Sequence, residues 1–374
     1  MTGPFNGPGL GELVVRALRR HPGRLAFVAG DRCVTYAETA GLIGRALAAF
    51  DARGLRPGDL VLQVVGNRPE QWAVQAACAL AGLRSAGLPP GADTAAAAAW
   101  CGARLVITEA GLAGFWASTP SAAPLVARAD AADVARVAFT RGTTGPRKRV
   151  LLSGRALAAA GLFQLTAAEW PAEVRLLCAE PVSGGFGTMV LPALLRGGTV
   201  VLTDDTAPET VAEAIDRHRP TVAYLLTVNL ARLAHELPVP STFETLVYSG
   251  GPLAPGDLDA ALARFGPILV QATGQTEAPK SFAVLGKADH HPGLAATDIG
   301  MPLPGMRVAV LGPDGAPVPD GEPGELCLRG PAVMSGYADD PAATAHAFRG
   351  GWHHTGDLAR LDERGHLHLI GRLG

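Results

Sequence analysis

The chain has 374 residues, of which 48% are apolar and 18% charged, with a formal net charge of −2. That composition excludes a disordered chain, and the near-neutral balance gives no signal for nucleic acid or an anionic membrane surface. The length allows two or three domains with a sizeable core. Five cysteines (Cys33, Cys78, Cys101, Cys178, Cys327) are odd in number and scattered, with neither a disulfide framework nor a zinc-ligand spacing. The opening MTGPFNGPGLGELVV lacks the charged and long apolar regions of a signal peptide, and no apolar run reaches the roughly 20 residues that span a bilayer. A soluble protein of a reducing cytoplasm, without nucleic-acid or membrane partners, is expected.

Apolar residues at Leu10, Leu13, Val14, Ala17 and Leu18 predict a helix over 10–20. Short strands follow at 25–28 and 33–35. Thr35 with Glu38 three residues on forms a capping-box pattern, opening a helix that runs to about Ala52. A continuous apolar strand at 59–65, a helix at 67–81, a strand at 84–88, an alanine-rich helix at 94–102 and a strand at 104–108 keep up the alternation. Beyond a loop rich in glycine, threonine and cations, helices are predicted at 154–168, 188–195, 208–218, 228–236 and 257–264. Strands are predicted at 174–179, 199–202, 222–226, 245–249 and 268–272. Such alternation predicts the α/β class: two doubly wound α/β subdomains in layers αβαβα. From about Ile299 short strands (307–311, 324–329, 366–370) alternate with the turns GPDG, PDGEPG and DERG, which predicts a small C-terminal antiparallel β-subdomain. The expected units are residues 1–150, 151–298 and 299–374.

In this architecture ligands bind at the carboxyl ends of parallel strands, and three loops meet that rule. Residues 139–150, FTRGTTGPRKRV, combine backbone freedom, hydroxyl donors and cationic side chains. That mixture suits a polyphosphate. It is not a Walker loop, because no glycine precedes Lys148 and no Ser/Thr follows it; the plain alternative is a solvated basic turn. Ser249-Gly250-Gly251-Pro252-Leu253 permits close approach of a flat ring or a phosphate, or is an ordinary strand-to-helix turn. Residues 271–279, QATGQTEAP, set Thr276 beside Glu277 at a strand end. A hydroxyl and a carboxylate there suit Mg²⁺ at a phosphate, or a helix N-cap and first-turn glutamate. In a fourth segment Asp357 and Arg372 flank a hairpin, where a carboxylate accepts both hydroxyls of a ribose or forms a rim ion pair. His353, His354, His366 and His368 lack a carboxylate cluster at ligand spacing, so no metal site is expected among them.

Together and in this order, these segments resemble the adenylate-forming superfamily of acyl- and aryl-CoA synthetases, nonribosomal-peptide adenylation domains and beetle luciferases. TRGTTGPRKR resembles the family's phosphate loop, YSGGPL its adenine segment and ATGQTE its YG-x-TE stretch. GEPGELCLRGPAVMSGY and GGWHHTGDLARLDERGHLHLIGR resemble the late GEL…GY and TGD…GR stretches. The resemblance implies that ATP and a small carboxylic acid give an acyl-adenylate and pyrophosphate. It implies Thr140, Gly142, Thr143, Thr144, Gly145 and Lys148 around the β- and γ-phosphates. Gly250, Gly251 and Pro252 would line the adenine, with Thr273 and Gly274 in the same pocket. Thr276 would touch the α-phosphate, Glu277 would hold Mg²⁺, and Asp357 and Arg372 would bind the ribose. The implied acceptor is CoA, the phosphopantetheine of an acyl carrier protein, or an amine.

Several positions depart from the family pattern. Arg141 stands for serine, Pro146-Arg147 inverts the usual order, and Arg149 stands for glycine. The loop is strained if that last position requires positive φ, or the extra guanidinium groups grip phosphate more tightly. Thr273 stands for tyrosine. In PVSGGFG, Gly184 stands where many acyl-CoA members have histidine, and no aspartate is present to anchor an α-amine, which favours a fatty or aryl acid. The chain stops at the family's hinge, and neither Lys280 nor Lys287 matches the catalytic lysine of the family's small C-terminal domain. The chain is therefore expected to bind nucleotide and to adenylate slowly or not at all alone. The alternative is a degenerate member that binds or scaffolds.

Overall fold

The computed structural model describes residues 7–118, 122–140 and 147–373. A six-stranded sheet runs Gly336–Tyr337, Arg149–Ser153, Val134–Phe139, Arg84–Leu88, Leu60–Val64, Ala103–Thr108. Its last four strands are parallel, and the first two close it antiparallel. A nine-stranded sheet runs Met301–Pro302, Ala278–Leu285, Leu269–Gln275, Thr245–Ser249, Val222–Leu226, Arg175–Cys178, Thr199–Leu202, Leu25–Ala29, Arg32–Thr35. The six strands from Leu269–Gln275 to Leu25–Ala29 are parallel. Arg307–Leu311, Gly324–Arg329, His353–Leu361 and Leu367–Arg372 form a four-stranded antiparallel sheet.

The layers are αβαβα. Helices Leu10–Arg20, Tyr36–Ala52 and Pro69–Ala81 lie between the two large sheets, in one core with Val61 and Ile107 of the first and Phe27, Val200, Val222 and Val270 of the second. Helix Pro69–Ala81 is covered from both sides, so that every residue from Pro69 to Leu80 is buried, the polar Glu70, Gln71 and Gln75 included. Thr94–Cys101 covers the outer face of the six-stranded sheet. Pro208–His218, Thr227–Glu236 and Pro255–Phe265 cover the other outer face. The expected capping box is present, with Glu38 N donating to Thr35 Oγ1 at 3.1 Å and Thr35 N to Glu38 Oε2 at 2.7 Å.

The sheets do not follow linear boundaries at 150 and 298. Leu25–Ala29 and Arg32–Thr35 join the nine-stranded sheet, while Arg149–Ser153 and Gly336–Tyr337 join the six-stranded one. Apolar patterning marks a strand but not its partner, which is chosen by the edge that buries it. The predicted helix at 188–195 is a 3₁₀ turn, Gly185–Met189, running into helix Val190–Leu195. Strand 268–272 extends to Gln275 because an antiparallel return strand, Ala278–Leu285, continues its ladder. That hairpin removes the N-cap alternative for Thr276 and Glu277, since no helix follows them.

Two devices bring the large sheets together at one end. A Cβ on Gly87 would lie 2.2 Å from Ser183 Cβ, so only glycine allows that approach. Asn67, expected inside a helix, precedes it instead: its Nδ2 reaches the carbonyls of Cys178, Glu180 and Thr203, and its Oδ1 accepts from Val182 N at 2.9 Å. Among the described residues no helix is long and apolar enough to cross a membrane, and all five cysteines are free thiols.

Candidate active site

A cleft of about 1710 Å³ opens where the parallel strands of both large sheets end. It is lined by Leu88, Thr140, Glu180, Leu226, Ser249 to Pro252 and Thr273 to Glu277, each at or just past the carboxyl end of a strand. Arg147, Lys148, Tyr337 and Arg372 line it from other elements. The three loops singled out in the sequence therefore converge. Gly142, Thr143, Thr144 and Gly145 lie outside the described residues, as does Arg141.

The ends of the phosphate loop are tied together: Lys148 N donates to Thr140 Oγ1 at 2.9 Å, and Thr140 N to Lys148 O at 3.1 Å. Lys148 Nζ sits 4.6 Å from the centroid of the Tyr337 ring, a cation–π contact, and the Tyr337 hydroxyl donates to Glu277 Oε1 at 2.8 Å. Burial, with the Glu277 carboxylate beside it, pushes the Tyr337 phenol up, so it stays protonated and keeps donating. Tyr337 was not singled out by sequence reasoning, although it ends the SGY stretch; its role appears only when Gly336–Tyr337 pairs with Val150 and Leu151.

Gly250 and Gly251 have φ of +101° and +151°, which L side chains rarely adopt. A Cβ on Gly250 would meet Leu226 Cδ2 at 2.7 Å, whereas one on Gly251 would meet nothing within 4 Å, so a flat ring has room against that backbone. Thr227 Oγ1 fixes the loop by donating to Gly251 O at 2.8 Å. Beside it Thr273 lines the cleft, and its buried Oγ1 has no partner among the described residues. An orphaned hydroxyl and an open glycine face fit a nucleotide base with polar edges.

Asp357 and Arg372 are paired across strands His353–Leu361 and Leu367–Arg372, with Arg372 Nη1 donating to Asp357 Oδ1 at 2.8 Å. Arg372 lines the cleft and Asp357 stands just behind it, reached by Gln275 Nε2 at 3.5 Å. Burial pushes the Asp357 carboxyl above its usual range, opposed by the Arg372 guanidinium. Behind both, His353 is buried, with Nε2 3.3 Å from Gln275 Oε1 and Nδ1 without a partner among the described residues. Burial, with His354 alongside, lowers His353 to about 4. The unfolded chain takes up that proton below about 6.5 and the folded one does not, so stability is lost as pH falls from about 6.5 to 4. The loss is on the order of 3 kcal/mol. Unfolding curves across that range are expected to show a shallower pH dependence for His353→Gln; an unaltered slope would remove His353 as the source.

Two expectations are corrected. Arg149 causes no backbone strain: it opens strand Arg149–Ser153, and among the described residues the positive-φ positions other than glycine are Glu169, Arg219 and Asp339. Nor does it grip phosphate, because its guanidinium bonds Asp339 Oδ2 at 2.8 Å and Trp100 O at 2.9 Å, off the cleft lining. The histidines do meet acids across strands: Glu325, Cys327 and His354 offer atoms within 4.8 Å of one another, and His366 contacts Asp298 at 3.1 Å. Register, not sequence spacing, makes those groups. Arg349 also holds Glu325 Oε2 at 2.7 Å.

The family described as AMP-binding enzyme matches residues 14–338. The chain is 30% identical to the medium/long-chain-fatty-acid–CoA ligase FadD8 of Mycobacterium tuberculosis, over 97% of this chain and 71% of that one. It is 32% identical to the feruloyl-CoA synthase of an Amycolatopsis species, over 98% and 79%. Among solved structures, the amide bond synthetase McbA from Marinactinospora thermotolerans superposes with a TM-score of 0.86 at 31% identity, covering 97% of this chain and 79% of that one. The N-terminal domain of FACL13 from Mycobacterium tuberculosis superposes at 0.89 with 22% identity, a likeness of fold, covering 98% and 100%. The match takes in the strand ends that build the cleft, and the chain belongs to the AMP-binding enzyme family of adenylate-forming, carboxylate-activating ligases.

Proposed function

We propose that this chain supplies the ATP- and acid-binding site of a ligase that joins ATP and a fatty or aryl carboxylic acid lacking a free α-amine as an acyl-adenylate, the chain alone adenylating slowly or not at all. CoA, a carrier-protein phosphopantetheine thiol or an amine then takes the acyl group. The observation that carries this reading is the joining of the phosphate loop, the Thr276–Glu277 turn and the SGY strand through Lys148, Tyr337 and Glu277. The relatives named for fatty and feruloyl acids and for amide-bond synthesis agree with the acid class and with these acceptors. Free cysteines suit a reducing cytoplasm.

ATP supplies the electrophilic phosphorus and the pyrophosphate leaving group. Lys148 and Thr140, with Gly142, Thr143, Thr144 and Gly145, neutralise and orient the β- and γ-phosphates. Thr276 donates to the α-phosphate, and Glu277, aimed by Tyr337, would hold Mg²⁺, which would supply positive charge to offset that of the phosphates. Gly250, Gly251, Pro252, Thr273 and Gly274 seat the adenine, while Asp357 and Arg372 take the ribose. The protein forms no covalent bond to substrate: it aligns the acid for in-line attack and stabilises charge on the phosphates. A binding-only relic is the less favoured reading: the relatives are named as ligases and synthetases, and Arg149, one of the departures from the family pattern, is engaged elsewhere.

Calorimetry with ATP·Mg²⁺ and with an acyl-sulfamoyl-adenosine mimic tests the reading, with micromolar binding of the mimic expected. Absence of binding by both would sink it.

A further inference from the structure

The floor of the cleft holds a cation that adenylation does not use. Arg136 lies on strand Val134–Phe139, four residues before Thr140, and so about 13 Å back from the start of the phosphate loop. Its guanidinium donates to Gln75 Oε1 at 2.7 Å and to Gly184 O at 3.4 Å. Three of its five N–H groups have no acceptor among the described residues, and none of those residues forms an ion pair with it. Burial draws Arg136 down to about 10, with no carboxylate opposing the shift, so it remains a cation at neutral pH. Glu180, a buried charge that also lines the cleft, is satisfied by Leu226 N at 3.1 Å and Asn229 Nδ2 at 2.5 Å. Gln75 is also left short, with Nε2 buried and unpartnered.

Arg136 is only partly covered and faces the cleft without an acid beside it among the described residues, and a guanidinium in that position pairs strongly and directionally with a carboxylate. Arg136 and Gly184 both line the cleft, and Gly184 contributes no side chain to fill it. The cleft is lined as well by the apolar residues Val137, Leu152, Leu157 and Ile299. We infer that Arg136 is the counter-charge for a second carboxylate at the far end of the substrate, so that the acid activated is a dicarboxylate with an apolar spacer. This inference rests on the function proposed above: one carboxylate reacts beside Thr276, and the other docks on Arg136 and Gln75.

The test is calorimetry on the unmodified chain with AMP and with three acyl-sulfamoyl-adenosine mimics of equal length, ending in methyl, primary amide or carboxylate. The carboxylate mimic is expected to bind at least tenfold more tightly than the other two. In Arg136→Leu the methyl and carboxylate mimics are expected to bind within twofold of each other, and in Arg136→Lys part of the preference returns. Equal binding of methyl and carboxylate mimics by the unmodified chain would overturn the inference, as would an amide matching the carboxylate or a preference surviving Arg136→Leu. If a variant fails to fold, the comparison on the unmodified chain still decides. Binding of AMP without any carboxylate preference defeats this inference alone, whereas no binding of AMP or any mimic defeats the proposed function with it.

Discussion

Replacing Asp357 with alanine is expected to weaken binding of AMP by about 100-fold or more while changing thermal stability little. A carboxylate that accepts from two ribose hydroxyls makes two charge-assisted hydrogen bonds, each worth about 1.5–3 kcal/mol. Their loss is on the order of 3–6 kcal/mol, and each 1.4 kcal/mol is about tenfold in affinity. Asp357 is held ready to accept them, since Thr355 Oγ1 accepts from its backbone N at 3.0 Å and Arg372 steers one carboxylate oxygen at 2.8 Å. The Asp357–Arg372 ion pair itself adds little to folding, because the Arg372 side chain is 58% exposed and solvent screens it. Calorimetry with AMP beside an unfolding measurement separates the two effects. A change in affinity below threefold would remove Asp357 from the ribose site.

Glu277→Gln is expected to lower the affinity for ATP measured with Mg²⁺ by about 10–100-fold, and to alter the metal-free affinity little. The reason lies in what the substitution keeps. Glutamine still offers Oε1 to the Tyr337 hydroxyl, which donates at 2.8 Å, so the Tyr337 ring and the Lys148 ammonium above it keep their places. Only the negative charge is lost. The measurement is a pair of ATP titrations, with Mg²⁺ and with a chelator, on each chain. If the gap between the paired titrations is the same for Glu277→Gln as for the parent, Glu277 does not hold the metal.

Much of the site was legible because its chemistry is written in contiguous stretches. Gly250 and Gly251 need positive φ, and paired glycines after a strand say so without a structure. Asp357 and Arg372 flank a turn whose DERG residues announce it, and the register places them opposite each other. Tyr337 and Arg136 were not legible. A tyrosine at the end of one strand and an arginine in the middle of another carry no local mark of function. What distinguishes them is the company they keep: Glu277, 60 residues from Tyr337, and for Arg136 a cleft in which none of the described residues forms an ion pair with it.

The sequence by itself determined the alternation of strands and helices, the start of helix Tyr36–Ala52 at its capping box, and the identity of the loops that carry glycine, hydroxyl and charge. These are local properties, set by side-chain period and by backbone freedom at single residues. The tertiary structure alone decided which sheet each strand entered, that Arg149 turned to Asp339, that Thr276 and Glu277 cap a hairpin, and that Arg136 has no ion-pair partner among the described residues. Partnership of that kind depends on which surfaces compete for burial and which charges arrive together, and both are settled between residues far apart in the chain.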